Sequence, residues 1–213
     1  MRLRKVKDAL IKLEAHSDIC ILNPKDHKGK WNKLFQNDNK VLNLEIGCGK
    51  GRFSVNMAKL NPDINFIAFE KFDSVILRAL ELYLEDPQPN LRLVLADAEN
   101  LLEYFSEDEI SNLYLNFSDP WPKARHAKRR LTSKSFLDQY KVIIKEDGAI
   151  YQKTDNRHLF EYSLVSYSQN GMLLDEISLD LHKEDRFNVE TEFEEKWKDK
   201  GPIYFAKVKF KND

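Results

Sequence analysis

The chain has 213 residues, of which 42% are hydrophobic and 32% charged, with 7 Gly and 7 Pro. This composition excludes a disordered or fibrous protein and leaves room for one well-buried domain rather than two. Cys20 and Cys48 are too few for a disulfide scaffold and lack Cys-x-x-Cys spacing, so neither a disulfide framework nor a cysteine metal site is indicated.

Residues 1–40 are predicted to be a basic N-terminal extension that packs on a main domain of residues 41–213. The start "MRLRKVKDALIKLEAH" lacks an apolar core of signal-peptide length, and no later stretch approaches a membrane span, which favours the cytoplasm. The first basic residues are either a second phosphate-contacting arm or a solvated terminus; they are Arg2, Arg4, Lys5 and Lys7. The segment "NPKDHKGKWNKLF" is expected to be irregular.

From Val41 onward, apolar runs of strand length alternate with helical patterns, which predicts repeated βαβ units and a mostly parallel sheet. Seven strands are predicted: Val41–Ile46, Ile64–Phe69, Leu91–Ala96, Asn112–Phe117, Ala149–Lys153, Leu173–Leu181 and Ile203–Phe210. The helices fall between them, and no internal repeat or flexible linker interrupts the pattern.

Three helices have recognisable ends. One is predicted to begin at a capping Ser74, and a second to run from about Ser133 to Gly148. The third, in "RHLFEYSLVSYSQNG", is expected to be capped by Asp155 or Asn156 and to end before a glycine.

The stretch "VLNLEIGCGKGRF" places a buried strand before Gly47, Gly49 and Gly51, at the start of a helix. Missing side chains at such a turn let a ligand approach the backbone. A dinucleotide-binding turn would carry its third glycine at Arg52, so a hydride-transfer cofactor fits poorly. Glu45, just before the first glycine, would repel a phosphate and suits a cationic ligand.

Acids close one predicted strand after another: Glu45, Glu70, Asp97, Asp119 and Asp155. Each alone is more often a helix N-cap, but the carboxyl ends of parallel strands form one ligand-binding crevice. Glu70, about twenty residues past the glycines, is placed to accept both hydroxyls of a ribose, and Asp97 to accept from an exocyclic amine of a base. A ligand with a ribose, an adenine, a positive centre and no phosphate is S-adenosylmethionine.

The stretch "NFSDPWPKARHAKRRLT" combines an acid, two prolines and a tryptophan with a run of cations. Residues 123–134 hold six of the 34 Lys and Arg and none of the 35 acids, which leaves 28 cations against 35 acids elsewhere. Solvated helical faces usually mix signs, so RNA phosphates are the better explanation. Trp121 either stacks on a base or packs the turn.

In "TEFEEKW", Thr191 and Glu194 match a capping box, which by itself accounts for both residues. His158 and His182 lack metal-ligand partners at useful spacing, so neither a metal nor other chemistry is assigned to them.

Through "EIGCGKGRF", "FEKFDSVILRAL", "YLNFSDPWPKARHAKRRLT", "KTDNRHLFEYS" and "TEFEEKWKDKGPIY", nearly the whole chain resembles the bacterial tRNA (guanine-N7-)-methyltransferases. The resemblance implies a class I S-adenosylmethionine-dependent methyltransferase fold, an α/β Rossmann-like fold with a mostly parallel seven-stranded sheet, helices on both faces and an antiparallel last strand. It implies methylation of N7 of a guanine in tRNA, the one in the variable loop.

The same resemblance implies roles for individual residues. It implies that Asp119 is the active-site acid and that Asp119, Glu45, Glu70 and Asp97 bind the cofactor; Gly47, Gly49 and Gly51 are expected from their turn to bind it as well. Substrate-binding residues are Lys123, Asp155, Thr191, Glu192, Phe193 and Glu194, and RNA-binding residues are Arg125, His126, Ala127, Lys128, Arg129 and Arg130.

Two other functions stay open, and the sequence does not distinguish a monomer from a homodimer. "SDPWP" resembles the Asp-Pro-Pro-aromatic turn of methyltransferases that act on an exocyclic amine of a nucleobase. A non-catalytic RNA-binding module with a vestigial cofactor pocket is the second alternative.

Overall fold

A computed structural model describes residues 5–211, so Arg2 and Arg4 of the predicted arm lie outside the described residues. The chain divides into two compact units, one ending at Ser106 and one beginning at Glu107. Each unit combines four strands with helices.

The strands of the first unit all run parallel in the spatial order β1-β4-β3-β2. They are β1 Cys20–Ile21, β2 Val41–Ile46, β3 Ile64–Glu70 and β4 Leu91–Leu95. The helices are α1 Ala9–Glu14, α2 Arg52–Leu60, α3 Asp73–Glu85 and α4 Leu101–Tyr104, with 3₁₀ turns at Pro24–His27, Trp31–Leu34 and Ala98–Asn100. In β3 every residue after Ile64 is buried, as expected for a parallel strand covered on both faces.

The second unit has the order β5-β6-β8-β7. Its strands are β5 Ile110–Asn116, β6 Ile144–Thr154, β7 Met172–Ser178 and β8 Tyr204–Phe210. Its helices are α5 Lys134–Ile143, α6 Arg157–Gln169 and α7 Glu192–Trp197, with 3₁₀ turns at Ala124–Arg129, Leu181–Lys183 and Lys198–Lys200. β5 and β6 are parallel, and β8 is antiparallel to β6 and β7, which confirms the predicted antiparallel last strand.

The described residues form eight strands where the sequence predicted seven. The additional strand is β1, in which Cys20 pairs with Leu93 of β4. Two residues are too short to produce a periodic signal. The segment around it is also more regular than expected, because it forms the first two 3₁₀ turns and fully buries Trp31.

Two predicted helix ends are wrong. Helix α3 has Phe72 as its N-cap, and the hydroxyl of Ser74 instead accepts from the backbone N–H of Val6. Helix α5 ends at Ile143, and Gly148 lies inside β6, where a Cβ would come 2.3 Å from the carbonyl oxygen of Ser111. The glycine therefore permits close strand approach rather than ending a helix.

The cap of α6 is confirmed, since Asn156 Oδ1 accepts from the backbone N–H of Leu159 at 2.9 Å. Among residues 5–211, no helix has the length and apolar character needed to cross a membrane.

Candidate active site

Three of the predicted acids, Glu45, Glu70 and Asp97, lie at or just beyond the carboxyl ends of the parallel strands of the first unit. In the parallel register, Ile46 pairs with Phe69 and Glu70 pairs with Leu95. The backbone N–H of Gly47 donates to the carbonyl oxygen of Phe69 at 2.8 Å. The glycine turn, Glu70 and the start of the Asp97 turn therefore follow neighbouring strand ends, as the sequence predicted.

The three glycines of the turn have different roles. All have positive φ, of 80° at Gly47, 59° at Gly49 and 83° at Gly51, where side chains are strained. A Cβ at either of the first two would meet nothing within 4 Å, whereas one at Gly51 would lie 2.7 Å from the Cβ of Ala79 on α3. Gly47 and Gly49 thus leave space above the backbone for a ligand, and Gly51 is required by packing.

Glu70 links this turn to the start of α3. Its Oε2 accepts from the backbone N–H of Gly49 at 3.2 Å, and its Oε1 accepts from the N–H groups of Lys71 and Phe72 at 2.8 and 3.1 Å. Burial raises the pKa of the carboxyl group, although these three donors oppose the shift. Since a carboxylate has about four acceptor positions, Glu70 can accept a further hydrogen bond from a ligand.

The other two acids of the first unit have different surroundings. Glu45 is only 3% exposed, and its Oε2 accepts from the hydroxyl of Ser54 on α2, so it fixes that helix to β2. Asp97 is exposed, and its Oδ1 accepts from the backbone N–H of Glu99 at 3.1 Å. Asp97 therefore caps a 3₁₀ turn and still presents carboxylate oxygen to solvent.

In the second unit, Asp119 and Asp155 are exposed and follow the adjacent parallel strands β5 and β6. Asn116 pairs with Lys153, and the backbone N–H of Phe117 donates to the carbonyl oxygen of Lys153 at 2.8 Å. The two acids thus follow neighbouring strand ends, which is the arrangement predicted for them.

The turn that carries Asp119 is strained. Phe117 has φ 50° and Trp121 has φ 41°, values that aromatic residues seldom adopt. Arg130 holds the turn, because its Nε donates to the carbonyl oxygen of Pro120 and its Nη2 to that of Trp121, both at 3.0 Å. Strain of this kind persists only where the surroundings fix it, and it is concentrated at functional sites.

The ring of Trp121 contacts neighbours within its own segment. Its centroid lies 5.7 Å from that of His126 in an edge-on arrangement and 4.9 Å from the guanidinium carbon of Arg129. Of the two roles that the sequence left open for Trp121, packing of the turn is therefore observed.

The basic run forms a 3₁₀ turn, Ala124–Arg129, rather than an α-helix. Within the described part of the chain, no acid forms an ion pair with the four exposed cations of residues 123–130, which are Lys123, Arg125, Lys128 and Arg129; Lys134, further along, pairs with Asp138. His126 and Ala127 are half-buried. The run is thus a positive surface patch whose charges are available to an anionic ligand.

Helix α7 begins with the predicted capping box, which is confirmed. Thr191 Oγ1 accepts from the backbone N–H of Glu194 at 2.9 Å, and Glu194 Oε2 accepts from that of Thr191 at 3.3 Å. Glu192 is half-buried and Phe193 is 38% exposed. The Phe193 ring stacks on Trp197 at 5.5 Å and contacts Phe117 at 5.0 Å, so it packs against the residue that follows β5.

Glu194 itself is fully buried and ion-paired. Its Oε2 lies 2.6 Å from Nζ of Lys153, a side chain only 6% exposed. Its Oε1 accepts from Asn188 Nδ2 at 2.8 Å and lies 2.9 Å from His182 Nε2. Lys153 also donates to Asn188 Oδ1 and to the carbonyl oxygen of Val189. We define these five residues as the Glu194 network; it fixes the start of α7 and the loop before it to β6.

Sequence reasoning missed several of these contacts. Lys153, His182 and Asn188 of the Glu194 network carried no signal, because their partner lies between 6 and 41 residues away along the chain. His182 had been assigned no chemistry. Tyr162, whose ring lies 4.2 Å from the guanidinium carbon of Arg130, was not predicted either.

Solved structures share this architecture at low sequence identity. The chain superimposes on the 16S rRNA methyltransferase KamB with a TM-score of 0.61 at 14% identity, covering 99% of this chain and 97% of that one. An rRNA methylase from Streptococcus thermophilus gives 0.55 at 13% identity over 82% and 89%. At these identities the likeness shows the fold.

The Rossmann-like α/β fold, with an open glycine turn beside strand-end acids, is the fold of the class I S-adenosylmethionine-dependent methyltransferases. The family model described as "Putative methyltransferase" matches residues 39–206. The tRNA (guanine-N(7)-)-methyltransferases of Bacillus cytotoxicus, with 49% identity over 100% of this chain and 99% of theirs, and of Streptococcus mutans, with 52% over 96% and 97%, are similar throughout. The chain belongs to the tRNA (guanine-N(7)-)-methyltransferase family.

Proposed function

We propose that the protein transfers a methyl group from S-adenosylmethionine to N7 of a guanine in tRNA, and that this guanine lies in the variable loop. The observation that carries the proposal is the second unit's strained turn, which presents Asp119 next to a patch of unpaired cations. The full-length similarity to relatives named for this activity supports it.

The first unit is proposed to hold the cofactor. Gly47 and Gly49 leave room above the backbone, Glu70 can accept a further hydrogen bond from a ribose hydroxyl, and exposed Asp97 can accept from an adenine amine. Glu45 holds α2, the helix that follows the turn, through its bond to Ser54. S-adenosylmethionine supplies an electrophilic methyl group on a sulfonium when bound.

The residues of the second unit are proposed to bind and orient the base. Guanine N7 has a lone pair and no proton, so the reaction needs alignment rather than a strong base, and alignment is worth up to roughly 7–11 kcal/mol in favourable cases. Asp119 can accept hydrogen bonds from the guanine edge, and either Asp119 or Asp155 can stabilise the positive charge that the base acquires. Both carboxylates are exposed.

The residues of Thr191–Glu194, the segment predicted to bind substrate, are proposed to have different roles. Glu192 and Phe193 have accessible side chains, whereas Glu194 is 0% exposed and its carboxylate already has protein partners. We therefore propose that Glu194 contributes to substrate binding by positioning the segment rather than by touching the substrate.

The exposed part of the basic run is proposed to bind tRNA phosphates. Guanidinium and ammonium groups without acidic partners can exchange solvent for phosphate oxygens. Such contacts place the RNA on the protein, while Asp119 of the turn selects the base.

A methylation assay on unfractionated tRNA with an isotopically labelled methyl donor tests the proposal. Digestion to nucleosides should give N7-methylguanosine, and alkaline ring opening followed by strand cleavage should map it to the variable loop. A product that resists ring opening, or that carries the label on an amine, would establish the exocyclic-amine alternative instead. Calorimetry without detectable S-adenosylmethionine binding would favour the non-catalytic module.

A further inference from the structure

Arg130 differs from the other cations of the basic run. Lys123, Arg125, Lys128 and Arg129 are exposed, whereas Arg130 is half-buried and its guanidinium is already engaged by the protein. A phosphate-binding role, which the family resemblance implies for the whole run, would have to compete with these internal contacts.

The guanidinium of Arg130 contacts two parts of the second unit. Its Nε and Nη2 donate to the consecutive carbonyl oxygens of Pro120 and Trp121, both at 3.0 Å, which uses the rigid fork of the guanidinium. Its guanidinium carbon lies 4.2 Å from the centroid of the Tyr162 ring on α6. Arg130 thereby connects the turn to the helix that follows Asp155.

The turn needs such a connection. Trp121 has φ 41° between two prolines whose rings restrict the neighbouring backbone. Proline also contributes no N–H, so the turn has few internal hydrogen bonds with which to hold its shape. The carbonyl groups that Arg130 binds belong to the strained residue and to the residue directly after Asp119.

We propose that Arg130 is a positioning residue: it fixes the Asp119-Pro120-Trp121 turn against α6 and does not neutralise an RNA phosphate. The expected effect of Arg130 on kcat rests on the proposed function, whereas its effect on the shape of the turn does not. Lysine cannot replace the fork, since the three N–H donors of an ammonium group share one nitrogen and lack the planar geometry of a guanidinium.

Two substitutions distinguish positioning from phosphate binding. Arg130→Lys keeps the charge and loses the fork, and Arg130→Gln loses both. Positioning predicts that both variants lower kcat, by up to about 100-fold for a displacement near 1 Å, and that both keep the wild-type dependence of log KM for tRNA on log salt concentration. The matched control is Lys128→Gln, in which the exposed ammonium is lost and the slope should fall by about 0.7–0.9.

A second measurement does not depend on activity. With 5-fluorotryptophan incorporated, the ¹⁹F resonance of Trp121, assigned from Trp121→Phe, should shift or broaden in Arg130→Lys and stay in place in Lys128→Gln. Far-UV circular dichroism checks that each variant is folded.

The outcomes separate the possible failures. An unchanged Trp121 resonance in Arg130→Lys would overturn the proposal whatever the enzyme's activity. If Arg130→Lys has the wild-type kcat and Arg130→Gln has a reduced salt slope, Arg130 binds an RNA phosphate and the positioning proposal is overturned. If Arg130→Lys displaces the Trp121 resonance but the wild-type protein has no N7 activity, the proposed function is refuted and the positioning role is left intact.

Discussion

Glu194→Gln is expected to destabilise the protein strongly, although it only replaces one carboxylate oxygen with an NH₂ group. The substitution keeps the shape of a side chain that is 0% exposed and removes its charge. Lys153, only 6% exposed, then keeps its ammonium charge and has the neutral oxygens of Asn188 and Val189 as acceptors. The cost comes from the loss of this buried ion pair, not from lost packing.

The magnitude follows from the burial of both partners. Removing one member of a buried ion pair costs about 3–5 kcal/mol, and in a chain of this length each kcal/mol lowers Tm by about 2–4 °C. Tm should therefore fall by roughly 6–20 °C. The double variant Lys153→Met/Glu194→Gln, which has neither charge, should be less destabilised than the sum of the single variants.

Urea unfolding and calorimetry of the four proteins in this cycle give the coupling free energy. The control is Asp138→Asn, which breaks the exposed pair between Lys134 and Asp138, with side chains 71% and 59% exposed. That change should cost about 0.3–0.5 kcal/mol. If Glu194→Gln costs no more than the control, or if the cycle is additive, the account of the Glu194 network is refuted.

Three further predictions concern the proposed cofactor and catalytic residues. Asp119→Ala should abolish methyl transfer in a single-turnover assay while leaving thermal unfolding unchanged, because the side chain is exposed; near-normal turnover would remove it from the mechanism. Gly51→Ala should lower stability by more than about 1 kcal/mol, since it adds a Cβ at φ 83° and 2.7 Å from Ala79; a wild-type unfolding midpoint in urea would contradict that packing. The pKa of Glu70 is raised by burial, so the folded protein keeps this proton to higher pH than the unfolded chain. Its stabilising contribution is therefore greatest below pH 4.5 and is lost as pH rises through the folded pKa. As pH rises across this range, Tm should fall less in Glu70→Gln than in the wild-type protein. Identical pH profiles of Tm would count against the burial argument.

The strand-end acids were predictable because each signal is local. A buried apolar run ends, an acid follows, and parallel pairing brings such ends to one edge. Glu70 and Asp97 accordingly lie where the sequence placed them, as do Asp119 and Asp155 in the second unit. Helix ends were less predictable where two elements meet, since the change from α5 to β6 at Ile144 is accompanied by pairing with β5 and has no glycine at the boundary.

Local explanations can also hide a tertiary role. The capping box accounts for Thr191 and Glu194 from four consecutive residues, and the structure confirms it. The same glutamate is the acceptor for Lys153, 41 residues earlier. Likewise, Arg130 belongs to a cationic run by sequence but donates to the backbone of the turn that precedes the run. In both cases the sequence gives the charge correctly, and the contacts decide whether that charge is available to a ligand.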